Sequence, residues 1–596
     1  MPLQMSRRQI LFLLGPCAAV AVVSQPLFSK WLVWGHNCTI DLARQLELHH
    51  LIRQGISYPR WCADLYFGYG SPLFNFYAPG GYWVGEIFAF AGANALWALK
   101  LAYFCGILLA GVGMFFLVRE LWGPVSGAAS AILYVSAPYL LLNVYVRASI
   151  GEVLCFAWIP LTLFFFLKGL RGSRTHTVFG AFFGAAVIFT HNITALLFFP
   201  ALIFFVVLNS VWSRDLRRLA EGLFGCGLAL GLSALFWLPV LVEKRFVHGD
   251  QILTDGAYWY AGNFLRLSCL FEPRWGFGTG DPSDTISLQL GTLHWILLIA
   301  SAVVSFWKRR LVEASHVFLW IVFGCSVFCM FSISKPFWGL FPFVRFVQFP
   351  WRLLLLATFA SSALAGLAFA GLERRSWKWR AAALVGVLAA TLVAYGGYVK
   401  AKFIVWDNAA GELRWVEAGD LDHIAGDPNI IPVEDYLTVE RMRQTGVKAT
   451  LLNDFLPIWV KETHLSLPKG SYRPVQGAFT VEPLHETPLE RSYSIQSLTG
   501  GYLELFTFWF PGWVGSLDGN WIDLFPRRDT GCLGAAIPPG NHVLTVKFVN
   551  TPVRTFAERV SLVSLALAIL MLVGIRVSVL NYAGRGSRKQ NVGNRQ

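Results

Sequence analysis

The first long polar stretch of the chain begins His36-Asn37-Cys38-Thr39-Ile40-Asp41-Leu42-Ala43-Arg44. It runs on through Tyr58-Pro59-Arg60-Trp61 and closes with Gly68-Tyr69-Gly70-Ser71-Pro72-Leu73-Phe74-Asn75-Phe76-Tyr77-Ala78-Pro79. Apolar runs at 10–28 and 97–118 flank it, each long enough to cross a hydrocarbon layer of roughly 30 Å. A polar, aromatic-rich loop between two such runs makes this a membrane protein with a built surface, and points to chemistry or recognition there.

Composition agrees. Of 596 residues, 55% are hydrophobic and only 14% charged, fewer charges than the roughly 25% of soluble domains. Further apolar runs lie near 124–143, 153–169, 177–190, 193–212, 220–241, 291–307, 316–333, 353–372, 381–399 and 558–578. With the first two, they predict about twelve membrane helices. The formal charge of +14 does not mark a nucleic-acid partner, because the basic residues sit in short connectors. These are Lys168 to Arg174, Arg214 to Arg218, Lys308 to Arg310, Arg374 to Arg380 and the tail Arg585 to Arg595. By the positive-inside rule they are cytoplasmic, as are both termini if 10–28, after Arg7-Arg8, is retained as a signal-anchor rather than cleaved. The longer, aromatic connectors 29–96, 143–152, 243–290, 334–352 and 400–557 then face outward.

Segment 400–557 differs in kind. Tyr493 to Leu498 and His542 to Phe548 alternate with period two, and Gly500-Gly501, Asp518-Gly519 and Pro539-Gly540 punctuate them. That pattern predicts an extracytoplasmic antiparallel β-domain, sandwich-like, before the last helix. The expected organisation is a helical domain over 1–399, a β-rich domain over 400–557, and a final span with a basic tail over 558–596. Cys38 and Cys62 share the first outer loop, where an oxidising compartment permits a disulfide. The other eight of the ten cysteines lie scattered, most of them in apolar runs.

Charges in apolar context are candidates for function. If 41–54 is helical, Asp41, Arg44, Gln45 and His49 share a face. A carboxylate beside Arg and His suits a general base; Asp at a helix start is equally an N-cap. Arg147 and Glu152 either form an ion pair that orders their loop or offer a guanidinium to a phosphate. His191-Asn192 is either a hairpin turn or a phosphate- or sugar-lining site. Arg345, Gln348 and Arg352 surround a span mouth, either as interfacial anchors or as a grip on an anionic headgroup. Glu272, Asp281 and Asp284 match no strong metal motif, and no zinc spacing occurs. No cofactor follows from the sequence, and a divalent metal remains an open option.

The order of several motifs carries a resemblance. After the first-loop stretch come Val146 to Glu152, Thr190-His191-Asn192, Phe236 to Glu243, Ser287 to Gly291 and Gln348 to Arg352. Near the end, Phe510 to Phe548 is similar to the outer β-domain of the same class. Together they resemble the bacterial YfhO-like proteins and their 6-pyruvoyl-tetrahydropterin-synthase-related membrane relatives. The histidine cluster of the soluble pterin synthase is not present, so the label implies no pterin chemistry. The resemblance extends to the GT-C fold of membrane glycosyltransferases. It implies a polyprenyl-phosphate-linked sugar donor, an envelope glycan, lipid or protein acceptor, and transfer on the outer face of the cytoplasmic membrane. It also implies a first-loop acid acting as base. Relatives carry that acid directly after the first His; here Asn37 stands there and Asp41 follows one helical turn later. Asp41 is therefore the expected base. Arg147, His191, Arg345 and Arg352 are expected on the donor phosphate, with Arg44, His49, Glu152 and Gln348 supporting. The competing expectations are a transporter or flippase accessory for envelope glycans, and an inactive glycan-binding scaffold.

Overall fold

The computed structural model describes residues 11–249, 258–279, 284–307, 313–424, 427–448, 453–461 and 466–592. Arg7, Arg8, Asp281, the Lys308–Arg310 connector and the last residues of the tail lie outside them.

Among the described residues, seven helices are long and apolar enough to cross a membrane: Leu11–Phe28, Ala95–Trp122, Ile150–Leu170, Asn192–Ser213, Pro350–Arg374, Trp377–Tyr398 and Pro552–Gly574. Two bent pairs raise the number to nine, against about twelve expected from apolar runs. The difference lies in three runs that form helices of 16 or 17 residues, Arg174–Thr190, Thr292–Trp307 and Ala314–Cys329. The first pair, Pro124–Val135 and Pro138–Tyr145, bends by 41°. Pro138 disfavours helical geometry at the residue before it, and Ala137 is extended at ψ 135°. The second pair, Leu216–Leu232 and Ala234–Phe246, bends by 68° at Ser233. Side chains from elsewhere satisfy the backbone groups beside this break. Leu235 N–H donates to Ser561 Oγ at 2.8 Å, and Leu235 C=O accepts from Arg60 Nη2 at 3.0 Å.

The basic connectors meet at one end of the helical body. Lys168 and Arg171 both pair with Glu120, Arg171 also reaches Glu313, and Arg174 pairs with Glu221. The long connectors gather at the other end. Strand Leu32–Val33 of the first loop pairs with Lys402–Asp407, which also pairs with Glu412–Glu417 and Ile430–Pro432. His36 Nε2 lies 2.7 Å from the carbonyl of Phe277 in the connector after the second bent pair. Asp284 closes a local turn in that connector, taking hydrogen bonds from Phe277 N–H and from the Thr279 hydroxyl. All ten cysteines are free thiols; Cys38 and Cys62 do not form the disulfide their shared loop permitted.

Chain order then builds an antiparallel sandwich. One sheet runs Asn520–Ile522, Trp513–Leu517, Gly540–Phe548, Glu490–Ser497, Phe479–Thr487; the other runs Leu524–Pro526, Cys532–Ile537, Gly501–Phe508, Tyr472–Gln476. Period-two alternation turns Tyr493, Ile495, Leu544 and Val546 inward, toward Leu503, Leu505 and Leu533 of the facing sheet. The sandwich sits on the first loop. Trp61 is buried against Phe510, Trp513 and Phe548, and Phe508 N–H donates to Tyr69 C=O at 2.8 Å. Arg554 at the start of the last helix is buried and pairs with Glu243 at 3.0 Å, so the last span is tied to the second bent pair.

Candidate functional site

Asp41 sits in the first turn of helix Cys38–Arg53, where the helix dipole favours a carboxylate. It does not cap the helix; Asn37 holds that position, and its Nδ2 donates to Arg147 C=O at 3.1 Å. The Asp41 carboxylate is instead held from three sides. Oδ1 accepts from Tyr82 OH at 2.7 Å and from Arg44 Nη1 at 3.2 Å, and Oδ2 accepts from Tyr103 OH at 3.3 Å. Asp41 is 1% exposed. Burial pushes its pKa up to about 6, against the opposing pull of Arg44 and the two phenols. Beside it lies a cavity of about 20 Å³, also lined by Cys38, Lys100 and Tyr103, room for about one water or hydroxyl.

The expected shared face of the helix exists, and its partners differ along its length. Tyr82 and Glu86, one turn apart on helix Gly80–Phe90, meet it in register. Tyr82 takes Asp41, while Glu86 takes His49 Nδ1 at 2.8 Å and Gln45 Nε2 at 3.3 Å. His49 therefore engages a second buried carboxylate rather than Asp41. Glu86 was the missed residue here. Its signal was a lone acid in the otherwise apolar run Gly80 to Phe90.

A second cluster centres on Glu152, in the first turn of Ile150–Leu170. Arg147 grips it with both Nη atoms, at 2.7 Å to Oε2 and 2.8 Å to Oε1. Tyr139 OH donates to Oε2 at 2.9 Å, and Arg147 also donates to Asn143. Arg147 stacks 4.7 Å over the Trp351 ring. Arg352 approaches more loosely, its Nε 3.6 Å from Glu152 Oε1. That Nε–H has no hydrogen-bond acceptor among the described residues. His191 closes the third side. An added Cβ on Gly151 would lie 2.7 Å from the Thr190 carbonyl oxygen and 3.2 Å from His191 Cδ2, so a glycine permits this approach. His191 Nδ1 accepts from Thr194 N–H at 3.2 Å, which leaves its proton on Nε2. Burial, reinforced by Arg352 and Arg147 and opposed by Glu152, lowers its pKa to about 3, so it is a neutral donor.

The two clusters are neighbours. His36 N–H donates to Val146 C=O at 2.9 Å, and Asn37 binds the Arg147 carbonyl. The Tyr77 ring lies 3.8 Å under the Arg44 guanidinium, and its hydroxyl is within electrostatic reach of both Arg147 and Arg352. Arg345 faces the Phe346 ring at 5.2 Å and is not among the ion-pair partners of Glu152. Gln348 occupies a left-handed turn at φ 62° just before the Arg352 segment. Sequence reasoning missed Tyr82, Tyr103, Tyr139 and Asn143, which carry no charge to mark them in apolar runs.

The sequence pattern described as "6-pyruvoyl-tetrahydropterin synthase related domain; membrane protein" matches residues 74–403. The chain belongs to that family. No curated protein matches it. Solved structures with a similar course include ArnT from Cupriavidus metallidurans bound to undecaprenyl phosphate, at 18% identity and TM-score 0.36. That match covers 65% of this chain and 64% of ArnT. The Archaeoglobus fulgidus oligosaccharyltransferase in its apo form is similar at 13% identity and TM-score 0.39, over 65% of this chain and 55% of that one. The chain thus spans under two thirds of the length of either. Among the described residues of this family member, no group of three or more His, Cys, Asp or Glu side chains is gathered to hold a metal ion.

Proposed function

We propose that this membrane protein transfers a sugar from a polyprenyl-phosphate-linked donor to an envelope glycan, lipid or protein acceptor on the extracytoplasmic face. One observation carries the reading: a buried carboxylate poised near pKa 6 stands beside a cluster with one loosely held guanidinium and a neutral imidazole donor. In this reading Asp41 takes the proton from the acceptor hydroxyl as its oxygen attacks the anomeric carbon. The bond from that carbon to the phosphate oxygen breaks, and its electron pair leaves with the lipid phosphate. Arg352, with Arg147 and His191, stabilises the charge gathering there. Tyr77 lies between base and phosphate grip. Arg44 and Glu152 hold the two ends in place, His49 anchors the Asp41 helix through Glu86, and Arg345 and Gln348 flank the Arg352 segment. The deciding experiment is transfer by purified protein from a panel of polyprenyl-phosphate sugars. Sugar release or transfer from none of them sinks the reading.

Two further results follow from the geometry. The base form of Asp41 is lost as pH falls through about 6. Initial transfer rates should therefore fall about tenfold per pH unit below that value and level off above it. A profile flat between pH 5 and 7 removes Asp41 as the base. Arg352→Ala should weaken binding of polyprenyl phosphate about 10–100-fold, the range for a charged hydrogen bond to phosphate. Wild-type affinity in a titration would make Arg352 an interfacial anchor.

A second reading, a glycan-binding scaffold without turnover, draws on the closure of Asp41 by Tyr82 and Tyr103. It predicts glycolipid binding with no released sugar in the same panel.

A further inference from the structure

Two further carboxyl groups of the first loop lie outside both clusters. Glu47 stands in helix Cys38–Arg53, the helix that carries Asp41, and Asp64 follows Trp61 in the loop. Both are 0% exposed. They abut: Asp64 N–H donates to Glu47 Oε1 at 3.3 Å, and the Glu47 side chain is within hydrogen-bonding reach of the Asp64 carboxyl. Yet Glu47 Oε2 and Asp64 Oδ2 are buried without a hydrogen-bond donor among the described residues. If both groups were ionised, both oxygens would stay orphaned and their charges would repel. One proton between them removes both penalties, because Glu47 Oε2–H becomes the donor that Asp64 Oδ2 lacks.

The surrounding charges balance one negative charge better than two. Arg443, from helix Val439–Thr445 of the outer segment, donates Nε–H to Asp64 Oδ1. His50, one turn beyond Glu47 on its own helix, places Nε2 3.6 Å from Asp64 Oδ2. Both cationic groups thus lie on Asp64 rather than on Glu47. The buried Cys62 thiol also faces the two acids, with Arg44 in its field, and burial keeps it neutral. Burial, and then the charge of Asp64, hold Glu47 well above the ordinary carboxylate range, against the pull of the Asp64 N–H and Arg443.

Through Arg443 the pair fastens the outer segment to the first loop. Beside it, Tyr66 N–H donates to Val447 C=O at 3.2 Å, and Tyr66 OH donates to Asn453 Oδ1 at 3.1 Å. Gly446 lies so close to the Phe67 ring that an added Cβ would stand 2.3 Å from it. Tyr66 and Phe67 are consecutive left-handed residues, at φ 53° and 61°. Such strained backbone persists only where neighbouring contacts hold it.

We propose that Glu47 and Asp64 share one proton, and that this proton latches the outer segment 439–447 onto the first loop. As pH rises the proton passes to water or hydroxide, and its bonding electron pair stays on Glu47. Two buried negative charges then face the Arg443 guanidinium, itself half exposed, and the joint opens. The direction follows from linkage: an acid kept neutral in the closed form gives up stability as pH climbs from the ordinary carboxylate range through its raised value. The latch does not depend on the transferase reading, although its helix is the one that carries Asp41.

The test is hydrogen exchange of the full chain from about pH 5 to about pH 9, read on residues 439–447 and corrected for the intrinsic pH dependence of exchange. In the wild type the opening equilibrium should steepen toward about tenfold per pH unit, the slope for one released proton. Glu47→Gln keeps a donor toward Asp64 and cannot ionise, so its opening should stay flat with pH. His50→Gln should keep the wild-type slope. A wild-type opening that is flat with pH overturns the proposal. So does a slope that survives Glu47→Gln, or one that His50→Gln removes, which would assign the switch to the imidazole. His50 is partly exposed, so its variant decides if Glu47→Gln does not fold.

Discussion

Asp41→Asn is expected to lower sugar transfer by about 10²–10⁴-fold, the usual contribution of a positioned general base. The fold should survive the change. With a pKa of about 6, the neutral carboxyl at pH 7 lies only ~1.4 kcal/mol above the carboxylate. The site thus tolerates a neutral group of the same shape. The amide oxygen still accepts from Tyr82 or Tyr103, the two phenols that flank the carboxylate. Thermal midpoint and donor affinity should therefore stay near wild type while turnover falls. That separation distinguishes a lost base from a lost fold. Wild-type transfer by Asp41→Asn excludes the residue as base. A collapse of stability together with activity would leave Asp41 a structural partner of Arg44.

What the sequence made legible, and what it hid, divides along physical lines. Helices in lipid announce themselves because each must be apolar along its whole length. The family resemblance rested on polar motifs at span ends, and several of these meet in space: Val146 to Glu152, Thr190 to Asn192, and Gln348 to Arg352. Periodicity put Asp41, Arg44, Gln45 and His49 on one face, which is how they lie. It did not say what covers that face. Tyr82 and Tyr103 stand 41 and 62 residues from Asp41, and a phenol in an apolar run looks like packing until its partner is known. The bend at Ser233 was equally silent, because Ser561 and Arg60 that satisfy the freed backbone come from opposite ends of the chain. Within 400–557 the alternation marked the sandwich strands. The two-residue strand Leu32–Val33, which joins the other sheet, is too short to show a period.

Glu152→Ala is expected to cost about 3–5 kcal/mol of stability, the penalty for stranding buried partners of a broken ion pair. Arg147, 8% exposed, loses both of its contacts to the carboxylate, and Arg352 loses its ion pair. Tyr139 loses its acceptor as well. Arg352→Ala should cost much less, because the two-pronged grip of Arg147 on Glu152 survives it. The comparison also tests whether the arginines read phosphate. In Glu152→Ala the two guanidiniums face a vacated anionic position, and a polyprenyl phosphate headgroup can take it. Added polyprenyl phosphate should then raise the thermal midpoint of Glu152→Ala more than that of the wild type. In the double variant Glu152→Ala/Arg352→Ala the gain should shrink, since one of the two cations is gone. Equal shifts in wild type and Glu152→Ala would mean that the lipid phosphate binds elsewhere. Glu152, Arg147 and Arg352 would then be a structural clamp between the start of helix Ile150–Leu170, the connector before it and the span that begins at Pro350.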